Sequence, residues 1–346
     1  MARLRGDMAM IKRATMTALL ALVAGCGGGG TTPAVTGETA APPAAVTPTP
    51  SPATPTPAPT TPTPPPATVS YTSFDDIYST RFGSSGVSVQ SACAGFATAT
   101  ATPSTPSAFG RGLVFRYVQT PNVWSISGEV GVGFDGRDSD PFAAMFVDPS
   151  AAGAVEFAYS KSIGTAPGRF TIRKPAPGDV GLNYTRLASV WATVSGTARL
   201  YQCIPGTPTV ASEIAAMAAG NYARTAVQAT AYTGGRAYIL TRSSAIVGID
   251  VASRRITLTL PLTGTPADGV GGTVDLGSVT ANLTLDPATG AFAGDLTGTG
   301  RTISGTVSGQ LFGPQGNEIA LVFGLTAGAG ATTPAFTASG AIFAAR

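Results

Sequence analysis

The sequence predicts an all-β protein whose last third is a small antiparallel barrel of eight strands. Three observations predict this class: glycine (44) and proline (28) are abundant, charged residues make up only 11%, and short alternating apolar and polar runs recur between turns. Low charge with many glycines favours short strands joined by turns over helices. The predicted order is a lipoprotein signal at 1–25, a disordered stalk at 26–69, a β domain at 70–205 and the barrel at 206–346.

Residues 1–25 have the features of a bacterial secretory signal. Lys12 and Arg13 close a basic segment, and the apolar run ATMTALLALVAG that follows is shorter than the roughly 20 residues that cross a bilayer. The run ends in Val-Ala-Gly-Cys at 23–26, which resembles the lipobox where a peptidase cuts before a cysteine that carries lipid. We therefore predict that Cys26 is lipidated and anchors the protein in the outer membrane at the cell surface.

The stretch from Thr31 to Val69 is rich in proline and threonine. It contains 13 of the 28 prolines and a single charged residue, Glu38. Such a composition cannot build a core. Pro-Thr repeats favour polyproline II, so the stretch would extend on the order of 100 Å. We predict a disordered, semi-rigid stalk that holds the folded part away from the membrane.

The segment from Ser70 to about residue 205 is predicted to form a β domain of short strands. Its β-branched and aromatic runs are separated by Gly, Pro and Asp turns, which is the usual pattern of strands. The predicted strands are 112–119, 123–130, 155–161, 169–174 and 184–194. The run ASEIAAMAA at 211–219 is the best short helix, with Ser212 as its N-cap and Gly220 at its end.

From about residue 221 the alternation becomes regular and predicts up-and-down antiparallel strands. RITLTLPL at 255–262 places its aliphatic residues on one face and Thr257 and Thr259 on the other. DPATG at 286–290 predicts a tight turn with a positive φ at its glycine. Further strands are predicted at 279–285, 291–297, 301–312, 318–325 and 334–344. About eight strands over roughly 125 residues would close into a barrel without exposed edges.

The composition excludes several functional classes. The chain has no histidine, which removes Ser-His-Asp and Cys-His catalysis and the usual ligands of catalytic zinc. Outside residues 1–25 the basic and acidic residues number 17 each, so the basic surplus of a nucleic-acid-binding protein is missing. Asp75 and Asp76 would suit a glycosidase, but adjacent acids on an exposed helix or turn explain them more simply. We expect no enzyme, no cofactor, no metal and no nucleic acid.

Two patterns around residue 135 are weighed as ligand sites. GVGFDG at 131–136 matches G-x-G-x-x-G, but RDSDPF follows in place of a helix, so we predict a loop. Asp135, Asp138 and Asp140 could ligate Ca²⁺ through oxygen, but their spacing does not match an EF-hand. An acidic turn is therefore the favoured interpretation.

The three cysteines are expected to have two different roles. With Cys26 lipidated, Cys93 and Cys203 remain, and an even pair outside the cytoplasm is usually a disulfide. This bond would tie the β domain to the segment that leads into the barrel, closing a loop of about 110 residues. Two separate thiols are the alternative.

One segment resembles a known family. Gly309–Phe323, with Phe-Gly-Pro at 312–314 and Glu-Ile-Ala at 318–320, resembles a strand pair in the C-terminal barrel of transferrin-binding protein B-like surface lipoproteins. Residues 339–346 resemble the final strand of those barrels, and 201–209 resemble the segment leading into them. The likeness covers about 201–346 and implies a single lobe, in which the preceding β domain is the handle-like part.

Glu318 begins a strand directly after the turn of that motif. Its carboxylate is expected to accept backbone N–H groups or to pair with an arginine such as Arg346 or Arg301, and so to fix the register of the strand. A solvated turn acid is the alternative. The family pattern implies a structural role for Glu318.

The expected work of the protein is binding. The resemblance implies a protein or small-solute ligand, in a nutrient-capture role that could involve iron or haem, and a TonB-dependent receptor as a neighbouring partner. Loops on a rigid sheet carry recognition, so 131–153 and 263–272 are the expected binding loops. A structural envelope lipoprotein without a soluble ligand is the alternative, and an envelope glycosidase is a third.

Overall fold

The structure, a computed structural model, describes residues 69–79, 84–98, 100–140, 153–164, 166–329 and 335–346. All of these residues belong to one compact unit, Pro66–Arg346. The predicted signal and nearly all of the predicted stalk lie outside the described residues, and the predicted domain boundary at 205/206 stays a prediction. None of the helices within the described ranges is long and apolar enough to cross a membrane.

Among the described residues up to 205, the structure has one short α-helix and ten strands. The helix α1 is Phe74–Tyr78. The strands are β1 (Val87–Val89), β2 (Cys93–Ala97), β3 (Thr102–Pro103), β4 (Val114–Val118), β5 (Val123–Ser127), β6 (Val132–Phe134), β7 (Gly153–Ile163), β8 (Ala166–Pro175), β9 (Leu187–Val194) and β10 (Thr197–Cys203). They form two antiparallel sheets: sheet A in the order β1-β4-β5-β6, and sheet B in the order β3-β2-β10-β9-β8-β7.

Sheets A and B share one aromatic core. Phe115 and Trp124 of sheet A contact Phe170 of sheet B, with ring centroids 5.8 and 5.5 Å apart. All three side chains are fully buried. Aromatic rings bury large areas, and edge or offset contacts add to that burial. The strands predicted in this part are therefore present as two packed layers.

The C-terminal part is a barrel preceded by a short helix, α2 (Ala211–Ala215). Its strands are β11 (Gly220–Tyr222), β12 (Arg224–Thr233), β13 (Arg236–Ile239), β14 (Ile246–Asp250), β15 (Arg255–Pro266), β16 (Val274–Leu285), β17 (Ala291–Thr299), β18 (Ile303–Phe312), β19 (Glu318–Ala327) and β20 (Phe336–Ala345). Eight of them close a ring, β12-β13-β15-β16-β17-β18-β19-β20, which returns to β12. This confirms the predicted eight-stranded barrel.

The alternation in the sequence becomes the inside and outside of the barrel. Leu258 and Leu260 of β15 are buried in the interior, and Thr257 between two buried neighbours faces outward. Gly290 ends the predicted DPATG turn with φ of +74°, a conformation that favours glycine. Interior apolar residues from seven of the eight ring strands form one cluster, against which Tyr238 of the eighth, β13, packs, so burial of this cluster holds the ring closed.

The helix predicted at 211–219 is shorter than expected. Its N-cap position is Val210, which has no capping side chain, so the predicted cap at Ser212 is wrong, as is the predicted end at Gly220. Tertiary contacts of Glu213 hold the uncapped helix in place. Glu213 accepts hydrogen bonds from the Tyr71 hydroxyl (3.0 Å) and from the backbone N–H of Gln315 (2.6 Å).

The predicted disulfide between Cys93 and Cys203 is present. The two residues are direct partners on the neighbouring strands β2 and β10, with Cα atoms 4.0 Å apart. Both are nearly fully buried and belong to the aromatic core. The bond therefore links the neighbouring strands β2 and β10 of sheet B, which are far apart along the chain.

Glu318 connects the barrel to the N-terminal sheets. Its carboxylate accepts hydrogen bonds from three consecutive backbone N–H groups, those of Asn183 (2.6 Å), Tyr184 (3.0 Å) and Thr185 (3.1 Å). The residue is only 6% exposed, so the solvated-acid alternative is wrong. The arginine partners expected at 301 and 346 are also wrong, because those guanidinium groups donate to backbone carbonyls at the barrel ends.

Arg186 continues this contact into the N-terminal part. The side chain is fully buried and donates to Glu156 (2.7 Å) and Asp75 (3.0 Å). It also donates to the Leu182 carbonyl at 2.7 Å. The segment that donates to Glu318 is therefore held from its other side by a buried guanidinium, and a buried charge of this kind requires such partners.

We expect Glu318→Ala to lower the free energy of unfolding by about 3 kcal/mol, because three backbone N–H groups lose a charged acceptor in a buried place. Glu318→Gln keeps one acceptor oxygen and should cost less. Chemical denaturation measures both. Asp295→Ala, at an exposed position of β17, is the matched control and should change stability by about 0.5 kcal/mol or less.

The pH dependence of the same variants gives a second readout. Burial raises the pKa of the Glu318 carboxyl, and the three N–H groups and Arg186 lower it in part. The folded protein thus binds a proton at higher pH than the unfolded chain, and this stabilising contribution is lost as pH rises through the raised pKa. Wild type should gain stability relative to Glu318→Gln on acidification through that window. A difference independent of pH would contradict this assignment.

Replacing both Cys93 and Cys203 by alanine should lower the free energy of unfolding by about 4 kcal/mol, because the unfolded chain regains the entropy of a long loop. The bridged residues are 110 positions apart. Urea denaturation with and without reductant provides the measurement. Reductant should destabilise the wild type and leave the stability of the double variant unchanged. If the free energy of unfolding of the wild type stayed the same after full reduction of the disulfide, the prediction would be refuted.

Candidate functional site

A cavity beside the disulfide is the candidate site. It lies where β2 and β10 of sheet B meet the segments that flank β4 and β5 of sheet A, and its volume is about 120 Å³. Its lining combines charged, hydroxyl and small side chains: Cys93, Ser104, Thr105, Ser107, Arg111, Gly112, Leu113, Gly128, Glu129, Arg199 and Tyr201.

The wall formed by residues 104–113 is fixed by hydrogen bonds to β2. The Cys93 backbone N–H donates to Ser107 Oγ at 2.8 Å, and the Ser107 N–H donates back to the Cys93 carbonyl at 2.9 Å. The Leu113 N–H lies 3.3 Å from Cys93 Sγ. A Cβ at Gly112 would lie only 2.9 Å from the same sulfur, so the close approach requires glycine. The disulfide therefore forms part of a rigid wall.

The polar groups of the cavity come from two layers. On β10, Arg199 and Tyr201 lie two residues apart and face the same side. The Tyr201 hydroxyl donates to Glu129 Oε2 at 2.8 Å across the gap between the sheets. Burial and Glu129 raise the pKa of Tyr201, and Arg199 lowers it in part. The hydroxyl is consequently protonated at neutral pH and holds the Glu129 carboxylate in place.

The arginines supply the charged hydrogen-bond donors of the cavity. Guanidinium groups stay protonated and donate hydrogen bonds in a planar fork. Arg111 and Arg199 both line the cavity, opposed by the single acid Glu129. The lining therefore carries one net positive charge on a fixed frame.

These residues were not among the predicted site residues. Arg199, Tyr201 and Cys203 alternate along one strand, so a shared face with the predicted disulfide cysteine was an available signal. Glu129 is 72 positions from Tyr201, and no local pattern indicates that contact. The cavity arises where two sheets pack against each other, and no single segment of the sequence predicts how those sheets pack.

The first predicted binding loop, 131–153, is only partly a loop. Val132–Phe134 forms β6, which pairs with β5, and a turn of 3-10 helix follows at Gly136–Asp138. The loop prediction for GVGFDG is therefore wrong at its centre, because the buried Phe134 completes the aromatic core. Residues 141–152 lie outside the described ranges.

The second predicted binding loop, 263–272, begins later than expected. Residues 263–266 continue β15 past a bulge at Leu262/Thr263, and Pro266 still pairs with Tyr238 of β13. The connection itself, 267–273, carries Val270, whose 68% exposure is high for a large apolar side chain. Asp268 in the same connection pairs with Arg236 at 2.6 Å.

The acidic patterns have local structural partners. Asp76 forms a capping box with Ser73 at the start of α1, and Asp75 pairs with Arg186 and Lys174. Asp135 and Asp138 form a second capping box, around the turn at 136–138. Within the described part of the chain, no group of three or more Cys, Asp or Glu residues could hold a metal ion. Cys26, the predicted lipidation site, lies outside that part.

Comparisons with known proteins give structural neighbours only. No protein-family model matches the chain, and no curated protein matches it. Among solved structures, a double mutant of transferrin-binding protein B from Haemophilus parasuis Hp5 is 15% identical, with a TM-score of 0.40 over 74% of this chain and 44% of that one. The same protein from serogroup B Neisseria meningitidis is 15% identical, with a TM-score of 0.37 over 62% of this chain and 38% of that one.

The chain thus spans less than half the length of these neighbours. With TM-scores below 0.5, the likeness carries no argument about function, and membership of the family that residues 309–323 resemble is not shown by it.

Proposed function

We propose that the protein is a lipid-anchored lipoprotein of the outer membrane, exposed at the cell surface, and that its folded part binds a protein or a small solute without enzymatic chemistry. The anchoring part rests on the residues around the predicted cleavage site. A basic segment that ends at Arg13, a short apolar run and Val-Ala-Gly-Cys at 23–26 stand in the order of a lipoprotein signal. Acyl chains at Cys26 would give stable anchoring.

The small-solute form of the binding part rests on the cavity beside the disulfide, and the protein-ligand form rests on the exposed Val270 of the 267–273 connection. The cavity presents Arg199, Tyr201 and Glu129 from two packed sheets, and clefts lined by a few fixed polar groups are the usual form of a solute site. A Pro/Thr-rich stalk between anchor and folded part would let this module reach ligands outside the membrane surface.

The finer form of the proposal is nutrient capture by a member of the transferrin-binding protein B-like family. It rests on the resemblance of the strand pair at 309–323 and on the order of lipobox, stalk and barrel. Iron, haem and a TonB-dependent receptor belong to this finer form. Transferrin itself is not carried over, because it is the named ligand of proteins of which this chain spans less than half the length.

We expect the wild-type protein, produced in a Gram-negative host, to incorporate labelled palmitate and to fractionate with the outer membrane. Cys26→Ala should abolish the label, because the thioether to lipid needs the sulfur. Autoradiography and membrane fractionation are the measurements. Cys93→Ala combined with Cys203→Ala is the control and should keep the label. Mass spectrometry showing a free thiol at position 26 of the wild type would refute the anchoring part.

Partner capture tests the recognition part. Protein displayed on cells should retain a component of growth medium or serum, and Val270→Ser should reduce that retention several-fold by removing an exposed apolar contact. Ile246→Ser is the control: its side chain is 60% exposed, but it starts β14, away from the 267–273 connection. Quantitative mass spectrometry of the retained material is the readout.

Equal retention by Val270→Ser and wild type would reject this connection as the recognition loop. A wild type that retains nothing over an anchored control protein would favour the alternative, a structural envelope component.

A further inference from the structure

Arg199 carries a buried donor without a protein acceptor. Its Nε is shielded from solvent, and none of the described residues accepts a hydrogen bond from it. The same side chain lines the cavity beside the disulfide. A buried N–H without an acceptor is costly and rare in folded proteins. Because the shielded Nε does not itself face the cavity, a ligand would meet the other guanidinium nitrogens, on the part of the Arg199 side chain that lines it.

We propose that this cavity binds a small monocarboxylate, with the Arg199 guanidinium as the anchor of the carboxylate. Planar guanidinium and carboxylate groups match in a two-point hydrogen-bonded pair. Arg111 also lines the cavity and adds a second positive charge. The inference names the solute class for the small-solute form of the proposed function and rests on that form alone.

The size of the cavity limits the ligand. A volume of about 120 Å³ is well below the roughly 300–1,000 Å³ of sites for drug-sized ligands. The disulfide and the backbone around Gly112 leave no room on that side, since even a Cβ would approach Cys93 Sγ to 2.9 Å. A carboxylate with a short carbon chain fits this space, and Leu113 supplies an apolar surface for the chain.

A substitution at Glu129 should change carboxylate affinity in the opposite direction from one at Arg199. The Glu129 carboxylate accepts from Tyr201 at 2.8 Å and lines the same cavity. It therefore repels a bound anion, while a glutamine at this position keeps an acceptor oxygen for Tyr201. Removing positive charge and removing negative charge should thus move carboxylate affinity in opposite directions, which a purely structural effect would not do.

The test uses the full chain, purified in detergent, and sodium acetate as the probe. Chemical shifts of the Gly112 and Tyr201 amides are followed against sodium chloride at equal ionic strength. A ligand of four heavy atoms is expected to bind in the millimolar range. Arg199→Gln should weaken acetate binding about tenfold, and Glu129→Gln should strengthen it about threefold.

Arg116→Gln is the matched control. This arginine is exposed on β4 and donates to the Ser85 carbonyl at 2.8 Å, outside the cavity lining. Its loss should leave acetate binding unchanged.

Three outcomes would overturn the proposal. Acetate could cause no saturable shift in the wild type, or sodium chloride could cause the same shifts as acetate. Arg199→Gln and Arg116→Gln could also bind acetate with equal affinity. Because acetate binding is measured on the isolated chain, a failure of lipidation or of partner capture leaves this result unaffected, and the two failures are distinguishable.

Discussion

The carboxylate of Glu318 is the constraint on which the arrangement of the two halves depends. Three consecutive N–H groups, from Asn183 to Thr185, converge on it in a buried place. Such convergence replaces much of the hydration that the carboxylate loses on burial. On the other side of the same segment, Arg186 bonds to Asp75 and Glu156. A polar path therefore runs from Glu318 at the start of β19, through Arg186, to Asp75 of helix α1.

Apolar packing surrounds this path. Buried residues of sheet B and of the outer faces of β18 to β20, including Ile204, Val322 and Phe343, form one cluster at the junction. The apolar cluster supplies most of the stabilisation, because burial is the dominant favourable term in folding. The hydrogen bonds to Glu318 fix the relative position of strand β19 and the segment before β9, because they can form in only one such position. The cavity beside the disulfide lies on the other face of sheet B, within the frame that this junction holds.

The barrel could be predicted from the sequence because its signal is local. Alternation in RITLTLPL and VTANLTL fixes which residues face inward, and the DPATG turn fixes a connection, so strand type and order follow without long-range information. The disulfide followed from the cellular compartment that residues 1–26 indicate. By contrast, β6 was not predicted, because glycines on both sides of Val132 obscure the alternation of a short strand that is held by its pairing with β5 and by the buried Phe134.

The partners of Glu318 and the cavity could not be predicted, for a different reason. Glu318 and Asn183 are 135 positions apart, and Glu129 and Tyr201 are 72 apart. Spacing along the chain shows that Glu318 follows a turn, but it does not show which N–H groups donate to its carboxylate. The nearby arginines at 301 and 346 were reasonable partners by sequence; the structure commits them to backbone carbonyls at the ends of the barrel instead. Polar contacts between layers depend on topology, which no single segment encodes.

Amide hydrogen exchange at Asn183, Tyr184 and Thr185 tests the central claim most directly. These three residues lie outside regular strands, so without Glu318 their amides would exchange as loop amides do. The account predicts protection comparable to that of the buried amides of β19, and its selective loss in a chain lacking the Glu318 carboxylate. Fast exchange of all three amides in the wild-type protein would contradict it.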